Sequence, residues 1–149
     1  MKYIFKFNAL ATLFAFSLTL ASLNVNAADM AAATAAHEKV VFQVSDAGPG
    51  KWNLTLNNAK NVQDAIGKDN VDIEIVAFGL GIEMLKRESE VGSKIDKALA
   101  DGIKVVACEN TMKAMKLTKA DMLPTIGYVP GGVVELMKKQ KENWSYIRP

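Results

Sequence analysis

Short apolar or β-branched runs alternate with stretches of helical periodicity along this chain, and that alternation constrains its fold more than any other feature. Residues 39–44 are a β-branched run of strand length. Trp52, Leu56, Ala59, Val62 and Ile66 then recur at helical spacing as far as Gly67. Residues 71–78 read as a second strand, alternating at first and apolar on both faces later. Gly79 and Gly81 make a tight exit, a short helical piece follows over 82–86, and Val91, Ile95, Ala98 and Leu99 mark a helix stopped by Gly102. Residues 103–107 are a third strand. It leads into a helix with Asn110 as its expected N-cap and Met112, Met115 and Leu117 on the apolar side. Thr118 and Asp121 are spaced to start one more helical turn, closed by Pro124. Residues 126–129 are a fourth strand. Pro130-Gly-Gly132 opens a helix with Val133, Val134, Leu136, Met137 and Gln140 expected on one side. Residues 144–148 form a short last strand, with Trp144 and Tyr146 on one face as packing anchors. The order β-α-β-α-β-α-β-α-β implies right-handed crossovers and an α/β fold, with a mostly parallel sheet and helices on both faces.

The amino-terminal segment follows a different logic. Lys2 and Lys6 precede an apolar stretch over about residues 7–23, and Val25-Asn26-Ala27 supplies a small-residue site for cleavage after Ala27. Polar residues at Asn8, Thr12, Ser17, Thr19 and Ser22 interrupt the apolar run, which is short for a membrane span of about 20 residues. Residues 1–27 are therefore expected to be a cleaved signal peptide. The mature protein is then periplasmic or secreted and not membrane-bound. Residues 28–38 read as a frayed Ala-rich tail carrying a solvated His37, and residues 39–149 as one α/β domain. Removing 27 of 149 residues leaves 122. It takes away two of the 18 Lys and Arg, so 16 remain against 16 Asp and Glu and the net charge falls from +2 to 0. A neutral chain of this size buries a core of its own and is no nucleic-acid binder.

The sequence holds one Cys and one His. That excludes an intrachain disulfide, a CxxC redox pair and a cysteine-rich zinc site; no metal or cofactor is expected. Open α/β sheets place their sites at the carboxyl ends of strands. Cys108 ends the third strand where a helix begins, so unpaired helix N–H groups point near its sulfur and favour the thiolate. Glu109 acts the other way, and Lys51 or Lys113 could offset it. Two readings stay open at this point: a reactive thiolate, or a small buried hydrophobe at a strand end. Ser45 and Asp46 end the first strand. They are either turn formers or a polar partner for Cys108. Pro130-Gly-Gly132 either makes a turn or holds an anion on its backbone N–H groups.

Several segments together resemble one family. They are Val40-Val-Phe-Gln-Val-Ser-Asp46 with Lys51-Trp52, the Asn-rich 56–61, and Gly102-Ile-Lys-Val-Val-Ala-Cys-Glu-Asn-Thr-Met112. To these add Gly127-Tyr-Val-Pro-Gly-Gly-Val-Val-Glu-Leu136 and the terminal 144–149. The set resembles the DsrE/DsrF-like proteins, in an exported, little-characterised branch, over nearly all of 38–149. The resemblance implies a three-layer α/β/α fold with a five-stranded, mainly parallel sheet, and homo-oligomers, trimers or hexamers. It also implies a cysteine after the third strand that carries sulfur as a persulfide, a position Cys108 matches. A carrier needs only one cysteine. In this reading Cys108 takes sulfur from an unidentified donor and gives it to an unidentified acceptor. Asn110 supports the anion, with Glu109 beside it and Asp46 or Lys51 at the rim. The alternative is a non-catalytic oligomeric binding module in which Cys108 is structural.

Overall fold

The computed structural model describes residues 37–149, which fall in one compact unit. The expected signal peptide and nearly all of the expected tail lie outside the described residues. Five strands form the sheet: β1 (Glu38–Val44), β2 (Val71–Ala77), β3 (Lys104–Cys108), β4 (Gly127–Val129) and β5 (Ser145–Ile147). Four α-helices connect them: α1 (Pro49–Ile66), α2 (Gly92–Ala100), α3 (Glu109–Ala114) and α4 (Gly132–Lys141). Short 3-10 turns at Lys68–Asn70, Gly79–Leu85 and Lys119–Asp121 complete the order. In the last of these, Thr118 and Asp121 form the capping box that their spacing implies.

The strands lie in the order β4-β3-β2-β1-β5, and every neighbouring pair is parallel. Successive strands β1 to β4 step across the sheet in one direction. The chain then returns through α4 to add β5 on the far side of β1. Because crossovers are right-handed, reversing the direction of travel puts the crossover helix on the opposite face. Helices α1 and α2 therefore cover one face and α4 the other, which gives the α/β/α layering.

The two faces are unequal. Val40, Phe42, Val44, Ile73, Ile75 and Val105 point to the larger core, where they meet Trp52, Leu56, Ala59 and Ile95. The other face gathers a smaller cluster of Val41, Val76, Leu136 and Trp144, with Phe78 and Val106 at its border. Strand residues alternate between these cores as the two-residue side-chain period requires.

The structure redraws α4. Its inward residues are Gly132, Leu136 and Lys139. Val133, Val134 and Met137, expected on the packed side, are exposed. Reading apolar residues as inward fails here because the inward positions include a glycine needed for close approach and a lysine with a buried partner. At the last strand, Trp144 is buried but Tyr146 is exposed and anchors through its hydroxyl, which donates to Gln43 Oε1 at 2.6 Å. His37 lies half-exposed, with Nε2 3.2 Å from Asp72 Oδ1.

Candidate functional site

Strand β3 runs directly into α3, and Cys108 is the junction. Cys108, not Asn110, is the N-cap: its sulfur accepts the Thr111 N–H at 3.5 Å. The sequence offers a good capping residue in Asn110, but the helix begins at Glu109, leaving no extended turn in which Asn110 could cap. Asn110 instead donates its backbone N–H to Pro130 O at 3.2 Å, tying α3 to the loop before α4.

That loop delivers the closest donor. Gly132 N–H lies 3.1 Å from Cys108 Sγ. A Cβ at Gly132 would stand 2.8 Å from Phe78 Cδ1 and 2.9 Å from Phe78 Cβ, so only glycine lets the start of α4 approach this closely. The anion-holding reading of Pro130-Gly-Gly132 thus meets a candidate anion within the chain itself, the thiolate of Cys108. Thr111 contributes twice. Its Oγ1 accepts the Gly79 N–H at 3.1 Å. That leaves its own O–H to donate to the sulfur, beside its backbone N–H.

Burial pushes the Cys108 thiol up. Donors from the Thr111 hydroxyl and from the backbone of Gly132 and Thr111 outweigh it, and hold the thiol below its ordinary value. The residue is 5% exposed and forms no disulfide. Thr111 and Phe78 escape sequence reasoning. The one signal for Thr111 is its spacing, three residues after a strand-ending cysteine, where a cap's partner N–H falls.

The other candidate residues divide. Glu109 is exposed at the first position of α3, with Lys119 Nζ 4.0 Å from its carboxylate, which offsets the repulsion a lone carboxylate exerts on a nearby thiolate. Asp46 and Lys51 are not brought to the cysteine. Strand β2 lies between β1 and β3, so Asp46 is about 10 Å from Cys108 in strand spacing alone. Its carboxylate is held by Arg148, 3.1 Å to each oxygen. Lys51 Nζ donates to Pro149 O at 3.2 Å. These contacts close the crevice between β1 and β5, where the direction of strand addition reverses and many open sheets bind ligands. Trp52 Nε1 donates to Asp46 O at 2.9 Å on the same side.

Among the described residues no three His, Cys, Asp or Glu side chains converge on a metal position. No helix among them is long and apolar enough to cross a membrane. A groove of about 190 Å³ between α1 and α2, lined by Leu56, Lys60, Lys94 and Ala98, does not include Cys108.

The model of the DsrE/DsrF-like family matches residues 21–149. The chain belongs to this family. Among solved structures it is similar to the protein of unknown function MTH1491 from Methanobacterium thermoautotrophicum. The two are 30% identical with a TM-score of 0.72, over 75% of this chain and 99% of that one. The ychN protein from E. coli shares the fold at 14% identity and TM-score 0.63, over 75% of this chain and 99% of its own. The conserved protein of unknown function BT1422 from Bacteroides thetaiotaomicron shares it at 17% and 0.62, over 78% and 99%. No curated protein matches the chain. The DsrE/DsrF-like family is associated with sulfur relay. The five-stranded parallel sheet is the fold that the family resemblance implies.

Proposed function

We propose that this protein is an exported sulfur carrier that uses Cys108 as a persulfide. One observation carries the reading: Sγ of Cys108 accepts N–H groups from two helix starts, Gly132 at 3.1 Å and Thr111 at 3.5 Å. Helix N-termini favour negative charge, and a stabilised thiolate is the nucleophilic form of cysteine.

The chemistry balances without a cofactor. The Cys108 thiolate attacks the outer sulfur of a donor persulfide, R–S–SH. The S–Sγ bond forms, the donor's S–S bond breaks, and the donor leaves as a thiolate. Cys108 then holds –S–SH, with the proton kept on the outer sulfur. An acceptor thiolate attacks that outer sulfur, the Cys108 S–S bond breaks, and Cys108 returns as a thiolate. One sulfur atom moves and no net oxidation occurs. Because Cys108 is 5% exposed, the donor has to present a single terminal sulfur rather than a bulky centre.

The same burial favours a second reading, a non-catalytic oligomeric binding module with a structural Cys108. The donors favour the anion over the neutral thiol, which tips the balance to the carrier. Treatment of the purified protein with polysulfide, followed by intact mass, tests this. A gain of one sulfur atom that Cys108→Ser abolishes is expected. A thiol inert to both polysulfide and a small alkylating reagent in the folded state overturns the carrier and leaves the binding module.

Two further parts of the reading rest on surface and leader. Val133, Val134 and Met137 stand exposed along α4 beside the site. Burying each is worth about 1.5–3 kcal/mol, and a second copy of the chain is the occupant the family resemblance suggests, in a trimer or hexamer. Residues 1–27 carry the signal pattern that would export it to the periplasm or beyond. Donor and acceptor are thiol proteins or small persulfides of that compartment, not nucleic acid.

A further inference from the structure

Helix α4 touches β2 and the residue just after it at three matched places. Gly132 lies on Phe78, where a Cβ would stand 2.8 Å from the ring. Leu136 packs with Val76 in the smaller core. Lys139 Nζ reaches Glu74 Oε2 at 2.8 Å. Residues 74 and 76 are alternate positions of one face of β2, and Phe78, still extended, continues that alternation one residue past the strand. Positions 132, 136 and 139 are one helix stripe, and they are the buried residues of α4. From 132 to 139 the helix rises about 10 Å and from 74 to 78 the strand runs about 13 Å, so the three contacts span similar lengths in opposite directions.

The lower contact is a buried ion pair, with Glu74 3% and Lys139 8% exposed. Around Lys139 stand Glu135, 3.6 Å away on the same helix, and Glu142 just beyond it. Trp144 has its ring 4.2 Å beneath the ammonium, and Trp144 N–H donates to Lys139 O at 3.0 Å. Lys104 is the β3 neighbour of Glu74 and lies in solvent. Glu74 Oε1 is buried and has no hydrogen-bond partner. As a device for stability alone the pair is poor, since apolar residues of similar volume usually serve as well. As a device for register it is strict. Leu136 on Val76 tolerates a small slide. A slide at Lys139 would leave a buried carboxylate without its cation.

Register matters at the other end of the same helix, where Gly132 N–H meets Cys108 Sγ at 3.1 Å. We propose that the Glu74–Lys139 pair positions the closest backbone donor to the Cys108 thiolate: it locks α4 on β2 so that the Gly132 N–H is aimed at Sγ. This rests on the reading of Cys108 as a reactive thiolate. Glu74 and Lys139 are positioning residues and touch no substrate.

The test is a pH titration of thiolate ultraviolet absorbance in the purified protein, with Cys108→Ser as the blank. The double variant Glu74→Leu/Lys139→Met removes the lock without leaving Glu74 buried and unpaired, and Lys139→Arg keeps cation and reach. Circular dichroism establishes that each is folded. The double variant should titrate about one pH unit higher than wild type, and Lys139→Arg should titrate as wild type does. A purely structural pair would change the unfolding midpoint and leave the titration alone. A folded double variant that titrates with wild type overturns the proposal, as does one that fails to fold when Lys139→Met alone folds and titrates normally. A wild-type thiol that titrates low yet takes no sulfur refutes the carrier while the variant still decides the positioning role. A wild-type thiol titrating at or above its ordinary value refutes both.

Discussion

At the scale of single residues the proposed chemistry rests on Cys108 and its donors. Thr111→Val removes the hydroxyl that donates to the sulfur while keeping the side chain's shape. The thiol should then titrate about one pH unit higher, and Thr111→Ser should stay near wild type. The rate of alkylation against pH measures both. The lowered thiol also couples to stability. A group whose folded pKa lies below its unfolded value stabilises the fold fully above the unfolded pKa, and that contribution is lost as pH falls through the folded one. Wild type should therefore gain stability over Cys108→Ser as pH rises between those two values and hold the gain above them. Urea unfolding at several pH values checks it. Cys108 was legible as the candidate nucleophile because a lone cysteine at a strand end stands out. Its donors were only half legible. The helix N–H was foreseeable from the junction, but the Thr111 hydroxyl depends on Gly79, 32 residues earlier, and the Gly132 N–H on a loop 24 residues later. Asp46 shows the converse: its strand end looked right, but the sequence does not state that β2 separates β1 from β3.

At the scale of elements, α4 does two jobs, capping the thiolate with its first residue and holding the sheet with its seventh-on neighbour. Gly132→Ala tests the first. The added methyl meets Phe78 at under 3 Å, so the helix start must move. A loss of about 1–3 kcal/mol in unfolding free energy is expected, with a thiol that titrates higher. Stability lost with the titration unchanged would mean that the Gly132 donor does not matter to the sulfur. Strands and helices were legible because their periods differ and Gly and Pro punctuate them. The inward stripe of α4 was not. Its pattern of Val133, Val134, Leu136 and Met137 reads as a packed face, whereas Lys139 turns inward because Glu74 and the Trp144 ring receive it. A buried charge is invisible to an apolar pattern when its partner lies 65 residues away in sequence.

At the scale of the whole molecule, the exposed apolar row on α4 and the expected homo-oligomer belong together. Light scattering of the purified protein should give a trimer or hexamer, and Val134→Glu with Met137→Glu should shift it toward monomer. A wild-type monomer would refute the assembly. Fold class was legible because alternating strands and helices leave few right-handed solutions, and the structure resolves them into the order β4-β3-β2-β1-β5. Function was legible only as far as the cysteine and the family reach, because sulfur chemistry needs so few residues that little of it shows in a pattern. The central claim is that Cys108 carries sulfur. Intact mass after polysulfide, read on wild type and on Cys108→Ser side by side, addresses it most directly. One added sulfur is expected on the wild type, removable by an acceptor thiol, and none on the variant. A wild type that stays at its starting mass, or a variant that gains the same sulfur, would contradict it.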